Sequence, residues 1–169
     1  PITFANSYTS RFFEERPRWV SATTAAVEAA RMRFRTVDDL RADKAVYQDF
    51  TNRILIERGE LVETRSPAKA ATILADIARN HRFTLYEYFI TDKIGHAQDM
   101  PAAKTALTDL AEFTRALLTK LDLKRTTVIL TSDHGNIEEM RDEHGAPQTK
   151  HTTSPVPLVR GVSPVKERN

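Results

Sequence analysis

Five side chains of the kinds that bind divalent metals fall in two short motifs and one later histidine. They are Asp92 and His96, Asp133 and His134, and His151. The first two are four residues apart, the second two are adjacent, and the last histidine follows 17 residues further on. Carboxylate and imidazole ligands without sulfur suit zinc, manganese or magnesium. The residue types and their spacing therefore predict a metal site.

The second motif follows an apolar run. Residues 127–130 are apolar and largely β-branched, a pattern that predicts a strand buried on both faces. Asp133 and His134 then lie at the carboxyl end of that strand, where open α/β sheets bind their ligands. The plainer alternative is that Asp133 caps a helix starting at Gly135 or Asn136, with the histidines on the surface.

The first motif also follows a predicted strand, because residues 83–90 are rich in aromatic and β-branched side chains. Apolar residues at intervals of three and four predict a helix over 101–121. A strand, helix and strand in this order form a crossover that makes the two strands parallel. Both motifs would then share one sheet edge, with His96 and His134 within about 10 Å of each other. The alternative is that Asp92 caps the next helix and His96 is incidental.

The motifs resemble the metal-binding end of the alkaline phosphatase superfamily. The resemblance rests on the sequence SDHGN at 132–136, HTTSPVP at 151–157 and a strand followed by D-x-x-G-H at 92–96. It is closest to the branch of cofactor-independent phosphoglycerate mutase and its small metalloenzyme relatives, and it covers residues 83–159 well.

The resemblance implies a site for two divalent ions, manganese, magnesium or zinc, in the complete protein. Carried over position by position, Asp92, His96 and His151 would bind one ion, and Asp133 and His134 the other. The implied chemistry is phosphoryl transfer or ester hydrolysis on a phosphorylated small molecule. A phosphomutase, phosphatase, phosphodiesterase or sulfatase would all fit.

We expect a three-layer α/β/α fold with a mostly parallel sheet, alkaline phosphatase-like and incomplete at the N-terminus. The chain would be the C-terminal part of one such domain over 1–169, with a frayed tail at 163–169. The resemblance places a further Asp and the Ser or Thr nucleophile upstream of Pro1. Ser21, the expected N-cap of a helix over 21–34, is the candidate nucleophile within the chain.

The amino-acid composition excludes several classes of protein and of binding site. The 169 residues are 40% hydrophobic and 28% charged, as in a soluble globular protein. The net charge is +2 with acids and bases intermixed, so no basic field indicates nucleic acid. There is no cysteine, which excludes disulfides and thiolate metal sites. No apolar run approaches the roughly 18 residues of a membrane span, and no signal peptide is visible, so we expect a cytoplasmic protein.

Two other functional classes stay open. The chain could be a catalytically silent metal-binding or interaction module, because the expected nucleophile and N-terminal Asp are not found in it. It could also be a structural α/β domain with accidental histidines. A sheet cut after its first strands leaves an unpaired edge and a bare apolar face. We therefore expect this chain to be stable only together with the missing N-terminal segment or through self-association.

Overall fold

The computed structural model describes residues 1–161, so the predicted frayed tail at 163–169 lies outside the described residues. The strands are β1 (Ile2–Phe4), β2 (Ser7–Tyr8), β3 (Arg35–Thr36), β4 (Phe83–Leu85), β5 (Val128–Thr131) and β6 (Leu158–Gly161). The helices are α1 (Ser10–Glu14), α2 (Ala22–Ala29), α3 (Val37–Arg41), α4 (Arg53–Glu57), α5 (Pro67–Arg79), α6 (Ile90–Ala97) and α7 (Met100–Lys120). Among the described residues, no helix is both long and apolar enough to cross a membrane.

The chain forms two compact units, Pro1–Tyr88 and Phe89–Asn169. The described strands pair as three two-stranded sheets, of which β1 with β4 and β2 with β3 are parallel, and β5 with β6 is antiparallel. The predicted α/β class with mostly parallel pairing is thereby confirmed. The single domain over 1–169 stays a prediction.

The first unit follows its local sequence signals closely. The Ser66 side chain accepts from Lys69 N at 3.2 Å, and Pro67 occupies the first turn of α5, as the serine–proline pair predicts. Ser21 caps α2 in the same way, with Thr24 N donating to its hydroxyl at 3.1 Å. The helix expected over 21–34 is shorter than predicted and ends at Ala29.

The strand predicted over 83–90 is wrong beyond Leu85. There the Asn6 side chain takes over the backbone pairing, donating to Glu87 O at 2.8 Å and accepting from Glu87 N at 2.9 Å. Helix α6 then begins at Ile90. The first motif therefore lies on a helix rather than after a strand.

The second unit pairs its strands differently from the prediction. Ala103, Ala106 and Phe113 form the buried face of α7, but β5 pairs antiparallel with β6, and β4 belongs to another sheet. The expected crossover and shared sheet edge are wrong, because β4 pairs with β1 whereas β5 pairs with β6, so the two strands belong to different sheets. Burial of β5 on both faces is also wrong, since Ile129 is 65% exposed.

Candidate metal centre

Helix α6 carries Asp92 and His96 on one face, because residues four apart lie above one another on a helix. Asp92 is in the first turn and His96 in the last, where the helix dipole favours a carboxylate and an imidazolium respectively. His96 Nε2 lies 3.3 Å from Asp92 Oδ1. Gln98 follows with a φ of 57° and ends the helix. Asp92 is a member of the helix rather than its cap.

The excursion between β5 and β6 supplies the other histidines. Asp133 and His134 follow the end of β5, as predicted. The chain returns at His151, where Thr152 N donates to Gly135 O at 2.9 Å in an isolated antiparallel bridge. This bridge holds the two histidine-bearing segments side by side.

Three imidazoles converge on one carboxylate oxygen. Asp92 Oδ1 lies 3.3 Å from His96 Nε2, 3.4 Å from His151 Nε2 and 4.0 Å from His134 Nε2. Asp92, His96 and His151 each offer one ligand atom, and these atoms all lie within 4.8 Å of one another. The rings of His134 and His151 stack with centroids 3.5 Å apart. The expected approach of His96 and His134 is confirmed, although a helix rather than a sheet edge produces it.

The hydrogen bonds of His96 fix which ring nitrogen is available. Its Nδ1 lies 2.7 Å from Thr149 O, a carbonyl that can only accept, so Nδ1 carries the proton. In a neutral ring Nε2 would direct a lone pair at Asp92 Oδ1, whereas in a protonated ring it would donate to that oxygen. Two facing lone pairs repel unless a cation or a proton lies between them. The donor set therefore fits a divalent ion, and the carbonyl is the usual outer partner of a metal-binding histidine.

Asp133 is placed differently from the other predicted ligands. Its side chain is 86% exposed, with Oδ2 3.5 Å from His134 Nε2. It caps no helix, since the short 3-10 helix Ile137–Glu139 is preceded by Asn136. Ser21 lies in the first unit, where it serves as a helix cap. The assignment of ligands and nucleophile stays a prediction.

Two polar residues that sequence reasoning missed support the cluster. Asn136, only 5% exposed, donates through its side chain to Asp92 Oδ1 at 2.7 Å. Glu138 accepts from Asn136 N at 2.8 Å and from Thr152 Oγ1 at 2.6 Å. Burial alone would raise the pKa of Glu138, but the hydrogen bonds from Thr152 and from the backbone of Asn136 outweigh it and lower that pKa. The polar residue directly after Gly135 was the signal that could have revealed this support.

Comparison with known proteins shows which family this chain resembles. The profile of the metalloenzyme superfamily matches residues 41–168. The 2,3-bisphosphoglycerate-independent phosphoglycerate mutase of Rippkaea orientalis is 36% identical over 101 residues, which are 56% of this chain and 19% of that protein. The Wolinella succinogenes enzyme of the same name is 34% identical over 108 residues, 62% of this chain and 22% of that protein. The chain thus spans about a fifth of the length of these relatives.

A solved structure also matches the chain. It is phosphoglycerate mutase of Leishmania mexicana at low cobalt concentration, with 25% sequence identity and a TM-score of 0.49. The match covers 60% of this chain and 21% of that one.

Proposed function

This chain belongs to the metalloenzyme superfamily, and we propose that its second unit supplies divalent-metal ligands for phosphoryl-group chemistry on a phosphorylated small molecule. The observation that carries the proposal is the convergence of Asp92, His96 and His151, whose ligand atoms lie within 4.8 Å of one another. The named activity of the relatives, phosphoglycerate mutase, supports the phosphoryl part.

The geometry supports one ion held by Asp92, His96 and His151. The resemblance to the alkaline phosphatase superfamily implies that Asp133 and His134 would hold a second. A divalent ion in such a site acts as a Lewis acid toward phosphoryl oxygens and helps to align the reacting groups. Manganese, magnesium and zinc all accept this set of oxygen and nitrogen ligands.

The charge of the ligand set suits an anionic substrate. Asp92 contributes one negative charge, and the neutral imidazoles of His96 and His151 contribute none. With a divalent ion the three-ligand site keeps a net positive charge that attracts phosphate. The half-exposed side chains of both histidines leave that charge accessible from solvent, at 43% and 49% exposure.

Exposed apolar side chains support a further part of the proposal, which concerns partners. Ile129, Leu158 and Val159 on β5 and β6 are 65%, 74% and 50% exposed. Apolar exposure on both faces of this strand pair favours cover by another segment or by a second copy of the chain. Light scattering tests this part, since a stable monomer at every concentration would contradict self-association.

Metal titration of the full chain tests the ligand assignment. We expect about one zinc or manganese ion to bind weakly per chain through the three-ligand site. Asp92→Ala should abolish it, because both histidines converge on that carboxylate. His144→Ala is the matched control, since His144 is exposed in the same excursion and its ring lies 3.5 Å from the Glu143 carboxylate rather than near Asp92. Equal binding by the two variants would refute the ligand assignment.

Phosphate release from an aryl phosphate, measured with the metal present, separates the functional classes. Release that depends on Asp92 and is lost in Ser21→Ala would support phosphoryl chemistry and assign the nucleophile to Ser21. Ion binding without release would favour the alternative of a silent metal-binding module, or a chain that needs a further segment for catalysis.

A further inference from the structure

We propose that Asn136 is a positioning residue that holds the carboxylate of Asp92 toward the histidines of the candidate metal centre. The inference rests on the proposed function, because it concerns how the same site is built. The Asn136 side-chain nitrogen donates to Asp92 Oδ1 at 2.7 Å, the oxygen that His96 and His151 also approach. The same nitrogen lies 3.3 Å from Asp92 O, so both of its acceptors are atoms of one residue.

Gly95 makes this contact possible. A Cβ atom at position 95 would lie 2.0 Å from Asn136 Oδ1 and 2.6 Å from its Cγ. Asn136 is 5% exposed and cannot swing into solvent to relieve such a collision. The glycine in the first motif therefore provides the space in which the asparagine of the second motif reaches Asp92.

Glu138 extends the hydrogen-bonded chain to the third ligand segment. Its carboxylate accepts from Asn136 N and from the hydroxyl of Thr152, which directly follows His151. A Cβ at Gly135 would lie 2.2 Å from Thr152 Oγ1 and 2.3 Å from Glu138 Oε1, so these groups pack closely. Asn136 thus connects the ligand on α6 with the segment that carries His151.

The physical effect of this connection is orientation. The terminal torsion of a free aspartate is broad, and a carboxylate that is 39% exposed can rotate away from its partners. One donor fixed on Oδ1 removes that freedom before an ion arrives. Outer partners of this kind typically change metal affinity by about 10- to 100-fold.

Zinc titration of the full chain tests the proposal. Asn136→Ala should weaken binding by about 10- to 100-fold, and Asn136→Asp by at least as much, because it replaces the donor with a like charge. Gln98→Ala is the matched control, since the Gln98 side chain donates to Met140 O at 3.1 Å and ties the end of α6 to the same excursion without touching a ligand. Equal losses in Asn136→Ala and Gln98→Ala, or no loss in Asn136→Ala, would overturn the proposal.

A double-mutant cycle tests the packing against Gly95. Gly95→Ala should weaken zinc binding in the wild-type chain, because the new methyl group displaces the Asn136 side chain. The same change should have little further effect in Asn136→Ala, where the colliding atoms are absent. Fully additive losses would contradict the proposed coupling.

A measurement without metal separates this inference from the proposed function. The side-chain amide protons of Asn136 should exchange slowly with solvent in NMR spectra of the metal-free chain, and Asp92→Ala should accelerate the exchange. Fast exchange in the wild type would overturn the positioning role whatever the zinc affinity. Slow exchange in a chain that binds no zinc would support the hydrogen-bonded connection and contradict the proposed function.

Discussion

Fully buried side chains and candidate metal ligands lie in different units of the molecule. Among the residues that the structure describes, the largest side chains with almost no exposure all belong to the first unit; they are Phe50, Leu40, Leu55, Ile73, Val46 and Asn52. The second unit contains all five predicted ligands and exposes Ile129 and Leu158 on its strands.

The two units are stabilised by different kinds of interaction. Apolar burial and helix caps stabilise the first unit, as in an ordinary core. In the second unit, hydrogen bonds that Asn136 donates and Glu138 accepts join the ligand segments, and a bound cation would offset the repulsion between the lone pairs of the ligand atoms. Ion binding should therefore stabilise the second unit selectively, because a ligand that binds only the folded state stabilises it.

The largest expected effect comes from the core of the first unit. Phe50→Ala should lower the free energy of unfolding of that unit by about 3–5 kcal/mol, because it removes a ring with 0% exposure and leaves a cavity. Denaturant unfolding measures the loss, with Leu61→Ala as control since Leu61 is 86% exposed. Metal affinity should be unchanged in Phe50→Ala, and a large loss of affinity would break the contrast between the units.

A smaller effect should follow from ion binding to the second unit. Zinc at about 100 times its Kd should stabilise that unit by about 2.7 kcal/mol. Hydrogen exchange should slow in α6 (Ile90–Ala97), whereas exchange in α5 (Pro67–Arg79) should be unaffected. Equal protection of both helices would contradict a selective effect.

The smallest effect concerns acid stability of the first unit. Burial would raise the pKa of Asp39, but hydrogen bonds from Thr36 and the neighbouring Arg33 lower it below its ordinary value. A lowered pKa gives stability that is present above the unfolded pKa, about 4, and is lost as pH falls through the folded pKa. Asp39→Asn should remove this dependence and cost about 0.3–1 kcal/mol at neutral pH.

Unfolding measured between about pH 2 and pH 6 checks the acid-stability prediction. Asp38→Asn is the control, since the Asp38 side chain is 88% exposed and sits in the same helix. An identical pH dependence of wild type and Asp39→Asn would show that the Thr36 and Arg33 contacts do not stabilise the charged form.

The sequence predicted the local features of both units better than their strand pairing. The cap at Ser66 and the long helix over 101–121 depend on neighbouring residues alone, and the structure has both within one residue. The apolar run at 127–130 also forms a strand, shifted by one residue. Its partner depends on where a distant segment returns, which no local pattern specifies.

In the candidate site, too, local sequence predicted less about contacts between distant segments than about neighbouring residues. The i, i+4 spacing of Asp92 and His96 is a helical spacing, but the aromatic and β-branched residues before it favoured an extended interpretation. The polar residue at position 136 directly after Gly135 indicated support for the site, but its partner Asp92 and the contact across Gly95 follow from the three-dimensional structure.

NMR of the imidazole nitrogens during zinc titration tests most directly whether the second unit holds an ion. The chain has five histidines, at positions 81, 96, 134, 144 and 151, so every ring can be followed. We predict that the Nε2 signals of His96 and His151 shift together and fit a stoichiometry of about one zinc ion per chain. His81 in the first unit, whose Nδ1 lies 2.8 Å from Ile77 O, should not shift, nor should the exposed His144. Shifts at His81 or His144 with none at His96 and His151 would contradict the proposed metal centre.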